Sequence, residues 1–513
     1  MKNNKLENFR GLKAKILSAG DENIVKELRK KSKLTARERI NMLFDSGTFV
    51  ELDAFVKSRP SSMEKTEAFS EGVITGYGLV EGKLVYAYAQ DYTVLAGSVG
   101  EMHGKKIVRV QEMALKMGAP IIGLQDSGGA RIQEGINALA IYAEILRLNT
   151  ISSGVIPQIT AIMGLSAGSA AYTPALSDFV FMVNETSQLF VNGPNAIEGA
   201  TSERLSAQDI GGAIIHNESS GTAHFLATND MECIDMIREL ITMIPSNNIE
   251  GAPIIETNDD INKIIPGLEN IIPEASDADY DMRNIIMAIC DDGYFMEVHK
   301  YFARNILTGF IRINGQTIGV IGNQPNVLDG CLDINSSDKG ARFVRFCDSF
   351  NIPLLTLVDV PGFLPEANQE YGGLIRHGGK LFYAYAESTV PKVTLVVRRA
   401  YGGGYIAMCS KNLGADIVFA WPMAEIAVMT PAAAANIVFK SEIANAKNPK
   451  EMRVEKVSEY IMEYATPYKA AEMGFVDDII EPSATRPRVA DALNMLMSKS
   501  DSRPSKKHGN IPL

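Results

Sequence analysis

The chain matches itself. Sliding it by 233 positions sets Val94-Leu95-x-Gly97 on Val327-Leu328-x-Gly330, Lys106 on Lys339, Arg109 on Arg342, Pro120 on Pro353 and Asp126 on Asp359. Residues 90–126 give eight identities in 37 positions without a gap. Gly129 on Gly362 extends the run, and Pro157-x-x-Thr160 meets Pro391-x-x-Thr394 after a one-residue shift. Two unrelated domains sharing a proline-then-strand idiom by chance are the alternative, but many matches in one order favour a duplication. A chain of 513 residues also exceeds what one core organises, so two similar halves are expected. A polar, Asp/Asn/Pro-rich interval at 256–282 reads as the linker, dividing the chain into 1–265 and 266–513.

Within each half, apolar β-branched runs alternate with helical ones, which signals α/β architecture. The stretch V-I-T-G-Y-G-L-V-E-G-K-L-V-Y-A-Y-A (73–89) reads as two strands around a Glu-Gly turn. Thr35 with Glu38 three residues on, just before Ile40 and Leu43, is a capping-box pattern that predicts a helix start.

Charge and cysteine usage exclude some functions. A net charge of −11 opposes nucleic-acid binding, though it leaves room for an anionic cofactor in a local basic pocket. The N-terminal residues lack the apolar core of a signal peptide, and no run of about 18 apolar residues occurs. A soluble, cytoplasmic protein that meets membranes only through a partner is expected. Cys233, Cys290, Cys331, Cys347 and Cys409 form no C-x-x-C pair, so they read as reduced structural thiols, and no metal site is expected.

Each half carries two small-residue turns directly after an apolar strand. The first half has P-I-I-G-L-Q-D-S-G-G-A-R-I-Q-E-G (120–135), with Gly128, Gly129, Ala130 and Arg131, and a second turn at 157–175 with Gly168 and Ser169. The second half has P-L-L-T-L-V-D-V-P-G-F-L-P (353–365), with Gly362 and Phe363, and a turn at 391–408 with Tyr401, Gly402, Gly403, Gly404 and Ile406. A strand ending in small residues that open a helix presents unpaired N–H groups at the positive end of the helix dipole. Such an array stabilises an oxyanion without any catalytic side chain. The plainer reading is that these glycines only permit tight strand–helix packing, and four such turns in duplicate count against it. Gly164, Ser166 and Gly168 match the G-x-S-x-G nucleophile elbow, which makes a serine hydrolase the rival reaction class. None of His103, His216, His224, His299, His377 or His508 is identifiable as its base. No G-x-x-x-x-G-K-[ST] loop occurs, so no ATP site is expected. Ala114-Leu115-Lys116-Met117 resembles the segment around a biotinylated lysine, but it lies in a helical run rather than an exposed hairpin.

The segments D-S-G-G-A-R-I-Q-E-G, P-A-L-S-D-F, H-N-E-S-S-G-T-A-H-F (216–225), C-L-D-I-N-S-S-D-K-G-A-R-F (331–343), D-V-P-G-F-L-P and K-K-H-G-N-I-P-L resemble the carboxyltransferase family. That family includes acyl-CoA carboxylase β chains, methylmalonyl-CoA decarboxylase α chains and the large transcarboxylase subunit, and the resemblance runs from Leu34 to Leu513. It implies duplicated crotonase/ClpP-like domains of ββα-spiral type and a hexamer. It also implies biotin carried on a separate domain or subunit, and an acyl-CoA substrate. The expected partners are a biotin carboxylase with a biotin carboxyl carrier protein, or a membrane decarboxylase subunit. By the same resemblance, Gly168 and Ser169 hold the thioester enolate on an acyl-CoA side formed by the first half. Gly403 and Gly404 hold the biotin ureido oxygen on a biotin side formed by the second half. Gly128, Gly129, Ala130, Arg131, Gly362, Phe363, Tyr401, Gly402 and Ile406 then line the cofactor and substrate sites.

The expected activity is transfer of CO2 from carboxybiotin to the α-carbon of propionyl-CoA or acetyl-CoA. The alternatives are the α chain of a sodium-pumping methylmalonyl-CoA decarboxylase, a crotonase-like CoA-ester hydrolase or isomerase, and an inactive assembly subunit. Three positions depart from the family pattern. G-L-S-A-G-S-A (164–170) stands for G-P-C-A-G-G-A, Gly404 stands for alanine, and T-P-A-A-A-A-N-I (430–437) stands for a G-P-E-G-A-type stretch. The Ser169 hydroxymethyl is expected to narrow its hole.

Overall fold

The structure is a computed structural model and describes residues 2–18, 20–58, 69–273, 275 and 278–512. Met1, Leu513 and residues 274, 276 and 277 of the polar interval lie outside the described residues. The chain forms two compact units, Met1–Glu250 and Gly251–Leu513. Residues 251–265, which the sequence reading put in the first half, pack with the second unit. Ile254 bridges Gln316, the Ile265 N–H donates to the Ser483 carbonyl at 2.9 Å, and Leu268 is buried in that unit's core.

The strands of the first unit are β1 (Val50–Leu52), β2 (Val73–Val80), β3 (Lys83–Gln90), β4 (Ile121–Ser127), β5 (Gln158–Ala167), β6 (Phe179–Val183), β7 (Gln188–Phe190) and β8 (Phe225–Ala227). Those of the second are β9 (Met296–Val298), β10 (Ile306–Ile313), β11 (Gln316–Asn323), β12 (Leu354–Val360), β13 (Lys392–Tyr401), β14 (Ile417–Ala420), β15 (Glu425–Ala427) and β16 (Asp478–Ile479). The first sheet runs β1-β2-β3-β4-β5-β6-β8 with β7 on β5, and the second runs β9-β10-β11-β12-β13-β14-β16 with β15 on β13. In both, an antiparallel hairpin leads into parallel strands joined by helical crossovers.

The duplication holds residue by residue. β2, β3 and β4 begin 233 residues before β10, β11 and β12, whereas β5 begins 234 before β13. The hairpin turns coincide too. Glu81 and Gly82 have φ of 49° and 75°, and Asn314 and Gly315 have 54° and 75°, the left-handed pair that a two-residue hairpin needs. β4 and β12 are buried at every position because helices cover both faces, which is why their sequences read as unbroken apolar runs. Each unit has its own core, around Val110, Ile121 and Ile145 in the first and around Leu355, Leu395 and Trp421 in the second. The expected duplicated crotonase-like α/β architecture is thus the one the chain adopts. The capping box at Thr35 is formed and starts the helix Ala36–Leu43. Lys116 lies exposed in the last turn of the helix Glu101–Met117 rather than on a hairpin. Among the described residues no helix is long and apolar enough to cross a membrane.

Candidate active site

In each unit the fold brings the two small-residue turns side by side. In the first, Ser127 of β4 pairs with Ser166 of β5 after a bulge, and both strands then end in glycine turns. Gly129 has a φ of +91°, and a Cβ there would stand 2.7 Å from the Ala167 carbonyl oxygen, so only glycine lets the first turn lie against the second. The second turn starts at Gly168, with a φ of +62°, and runs through a short 3₁₀ segment Gly168–Ala171 into the helix Tyr172–Ala175. Gly168 and Ser169 are half-buried, and Gly128 is exposed beside them.

The second unit is built alike. Val360 of β12 pairs with Ala400 of β13, and β13 ends in the helix Gly402–Ala407. A Cβ on Gly404 would lie 2.9 Å from Val360 Cγ2 and 3.0 Å from Gly362 Cα, so this glycine permits the two turns to touch. Phe363 packs against Gly403 and Gly378 and meets Phe382 at a tilt of 36°, with ring centroids 6.3 Å apart. Ile406 is exposed on the same short helix. The Tyr401 phenol is buried and donates to Glu425, and that burial beside a carboxylate holds its pKa well above the usual range.

Register refines the residue pairs. Ala167 pairs with Phe190 as Tyr401 pairs with Ala427, which makes Gly168 the counterpart of Gly402 and Ser169 that of Gly403. Gly402 shares the left-handed φ, +55°. The pair Gly403/Gly404 therefore lies one residue further into its helix than Gly168/Ser169. First-turn amides have no carbonyl a turn behind them, so both stretches leave N–H groups without an intrahelical partner.

Arg131 is fully buried and committed to Glu71 at 2.7 Å, Glu134 at 2.8 Å and the Ser98 carbonyl at 2.9 Å. It ties the turn to the N-terminus of the helix Glu101–Met117, where Glu134 accepts the Glu101 N–H.

Side-chain nucleophile and base chemistry finds little support in the geometry. Ser166 is buried in β5, and its hydroxyl donates to Gln125 at 2.9 Å. Neither it nor Ser169 hydrogen-bonds an imidazole among the described residues. His103 is enclosed between Glu71 and Gln90, and burial pushes its pKa down to about 3. His216 and His224 bond backbone groups of the first unit, and His377 pairs with Asp338. No cluster of three potential metal ligands occurs among the described residues.

Two features escaped the sequence reading. Apolar side chains stand exposed in the segments that leave the turns, with Ile132 at 88% and Ile136 at 75% in the first unit, and Tyr371 at 89% and Ile375 at 85% in the second. Lys33 and Arg39, from the N-terminal segment, reach Asp126 beneath the first pair of turns. The self-alignment held a signal for the latter, since it sets Arg398 and Arg399 against the uncharged Gly164 and Leu165.

The carboxyl transferase domain family matches residues 27–511. Methylmalonyl-CoA decarboxylase subunit alpha of Veillonella parvula is 55% identical over 98% of this chain and 97% of its own length. Propionyl-CoA carboxylase beta chain of Saccharopolyspora erythraea is 50% identical over 96% of this chain and 93% of its own. Among solved structures, the hexameric transcarboxylase 12S with methylmalonyl-coenzyme A and methylmalonic acid bound superposes with a TM-score of 0.97 at 46% identity, covering 100% of this chain and 99% of that one.

Proposed function

Since this chain belongs to the carboxyl transferase family, we propose that it moves a carboxyl group between a biotin borne by a partner and the α-carbon of a short acyl-CoA. It is a biotin-dependent carboxyltransferase of the acyl-CoA carboxylase kind. The observation that carries the finer reading is the pair of glycine turns per unit, each opening a helical segment beside a second turn that only glycine allows to approach.

The first unit takes the thioester. Amides of Gly168 and Ser169 stand where charge collects on its carbonyl oxygen as the α-carbon becomes an enolate. One such donor is worth about 3–4 kcal/mol in the transition state. The second unit takes the ureido group. Gly404 lets its turn lie against Gly362, and Gly403 beside it is exposed, so an amide of this turn is open to the ureido oxygen. When bound, biotin brings the carboxyl group and a ring nitrogen able to take up the α-proton. The chain's own part is then to orient the CoA ester, hold the two oxyanions and exclude water. Among the described residues neither Ser166 nor Ser169 hydrogen-bonds an imidazole, which agrees with that division of labour.

Propionyl-CoA or acetyl-CoA is the acceptor in this reading, with methylmalonyl-CoA the favoured product because named relatives act on that acyl pair. The exposed apolar residues beside the turns support a homo-oligomer, as in the hexameric transcarboxylase. A biotin carboxylase and a carrier protein are the partners in this reading.

A second reading has its own support. Methylmalonyl-CoA decarboxylase alpha subunits of Veillonella parvula and Propionigenium modestum are 55% and 53% identical, above the 50% of the carboxylase chain cited above. The same half-reaction would then run from methylmalonyl-CoA toward a biotin on a decarboxylase partner. The purified chain with free biotin and either methylmalonyl-CoA or malonyl-CoA tests the shared chemistry. Biotin-dependent CO2 release, faster with methylmalonyl-CoA, is expected; release indifferent to biotin refutes it.

A further inference from the structure

Asp126 and Asp359 occupy equivalent places. Each sits in the bulge where the parallel register slips, between Gln125 and Ser127 or between Val358 and Val360. Each accepts the backbone N–H at the matching point of the next strand, Leu165 at 3.3 Å and Arg399 at 3.2 Å. From those two points each strand climbs two more residues to its glycine turn. The repeated carboxylate thus sets the angle at which the turn leaves the sheet.

A buried carboxylate needs nearby cations and donors, and the two units find them differently. In the second unit they come from the strand itself. Arg398 Nε reaches Asp359 at 2.8 Å and Arg399 Nε at 2.7 Å, with the Tyr280 hydroxyl at 2.8 Å. In the first unit the matching strand positions are Gly164 and Leu165, which carry no charge. A Cβ on Gly164 would fall 1.9 Å from Asp126 Oδ1 and 2.5 Å from Lys33 Nζ, so the space beside Asp126 is already filled. It is filled from the N-terminal segment, with Lys33 Nζ 2.6 Å and Arg39 Nη1 3.2 Å from Asp126 Oδ2. Arg39 also donates to the Met163 carbonyl of β5 at 3.0 Å and pairs with Asp230 at 2.8 Å. Asp230 in turn accepts the Leu34 N–H at 3.0 Å. All four side chains are buried. The capping box at Thr35 fixes the helix on which Arg39 stands.

We propose that Lys33 and Arg39 are positioning residues for the Gly168–Ser169 turn, acting through Asp126 and the Met163 carbonyl. The N-terminal segment thereby serves the acyl-CoA half of the reaction. The second unit has no such dependence, because its own strand carries Arg398 and Arg399. This rests on the reading of the first unit as the thioester side. Loss of one cation leaves the carboxylate under-compensated, and its relaxation tilts the end of β5. A displaced oxyanion donor lowers kcat, while ground-state binding along the rest of the CoA changes little.

The test uses Arg39→Lys and Lys33→Met in the full chain, assayed for biotin-dependent decarboxylation of methylmalonyl-CoA and for amide hydrogen exchange. We expect kcat to fall about ten- to a hundredfold, with KM for the CoA ester and for free biotin each within about threefold of the parent chain. Exchange across 164–171 should quicken about tenfold while 399–408 stays unchanged. Unaltered kcat and exchange in folded variants overturn the proposal, as does equal loosening of both glycine turns. If Arg39→Lys fails to fold, Lys33→Met decides, and if neither folds the role is structural and the proposal falls. A parent chain with no biotin-dependent activity defeats the functional reading instead, whatever the exchange data show.

Discussion

Lys106 and Lys339 bury their ammonium groups at the same point of the two units, against backbone carbonyls at and just before the start of the first hairpin strand. Lys106 Nζ donates to the carbonyls of Ser70, at 2.8 Å, and Val73. Lys339 Nζ donates to those of Ala303, at 3.3 Å, and Ile306, at 2.7 Å, and also to His299 and Phe302. Ser70 and Val73 are the counterparts of Ala303 and Ile306. Burial lowers the pKa of Lys106 to about 8 and that of Lys339 to about 7. The match that revealed the duplication is therefore a structural staple rather than a catalytic pair.

Removing either ammonium strands buried carbonyls without a donor, each costing about 1–3 kcal/mol. Lys106→Met and Lys339→Met should each lower stability by about 3 kcal/mol, read by denaturant unfolding. Hydrogen exchange should place the loss in the unit that carries the change. A destabilisation spread over both units contradicts this.

The glycine turns should fail independently. Gly404→Val forces Val360 and Gly362 apart, so carboxyl transfer should fall at least about a hundredfold while methylmalonyl-CoA still binds in calorimetry. Gly168→Ala has space for its methyl group but is strained at a φ of +62°, by about 1–2 kcal/mol. It should lower kcat with free-biotin KM unchanged. Loss of CoA binding and transfer together in Gly404→Val counts against two separate holes.

His103 should shape the acid limb of stability without taking part in turnover. Its Nδ1 faces the Glu71 carbonyl at 2.8 Å and its Nε2 faces Gln90 at 3.3 Å, which fits the neutral tautomer protonated on Nδ1. Burial first, then Arg131, depress its pKa from 6.5 to about 3. The unfolded chain takes up this proton below pH 6.5 and the folded one does not. The contribution is therefore intact above that pH and shrinks by about 1.4 kcal/mol per unit as pH falls toward 3. His103→Gln should flatten the acid limb of thermal midpoint against pH and keep turnover within about tenfold at neutral pH.

Fluorophosphonate should label neither serine of the Gly-x-Ser-x-Gly segment. Ser166 is buried against Gln125, and Ser169 has no imidazole partner among the described residues. Stoichiometric labelling with loss of activity restores the hydrolase reading. Ser169→Gly should keep or raise activity, because the amide remains and the hole widens.

Most of the fold was legible because a duplicated sequence carries the same strand periods and turn residues twice. The Glu81-Gly82 and Asn314-Gly315 turns needed only local chemistry, as did the capping box at Thr35. The glycine turns were legible as turns, since only small residues allow close backbone approach. Their spacing was legible too, because the one-residue shift at Pro157 and Pro391, carried along the strand, sets Gly168 on Gly402. The strand register, with Ala167 on Phe190 and Tyr401 on Ala427, gives the same offset.

The sequence by itself determined that two alike α/β units form, that each ends two strands in glycine, and that no histidine stands out as a base. Tertiary structure alone decided which charges serve which carboxylate. Arg398 and Arg399 are four and three residues from Gly402 in the chain, whereas Arg39 and Asp126 are 87 residues apart in the sequence and 3.2 Å apart in space. A buried carboxylate takes its cations from wherever packing leaves room, and the absent side chain of Gly164 left that room to the N-terminal segment.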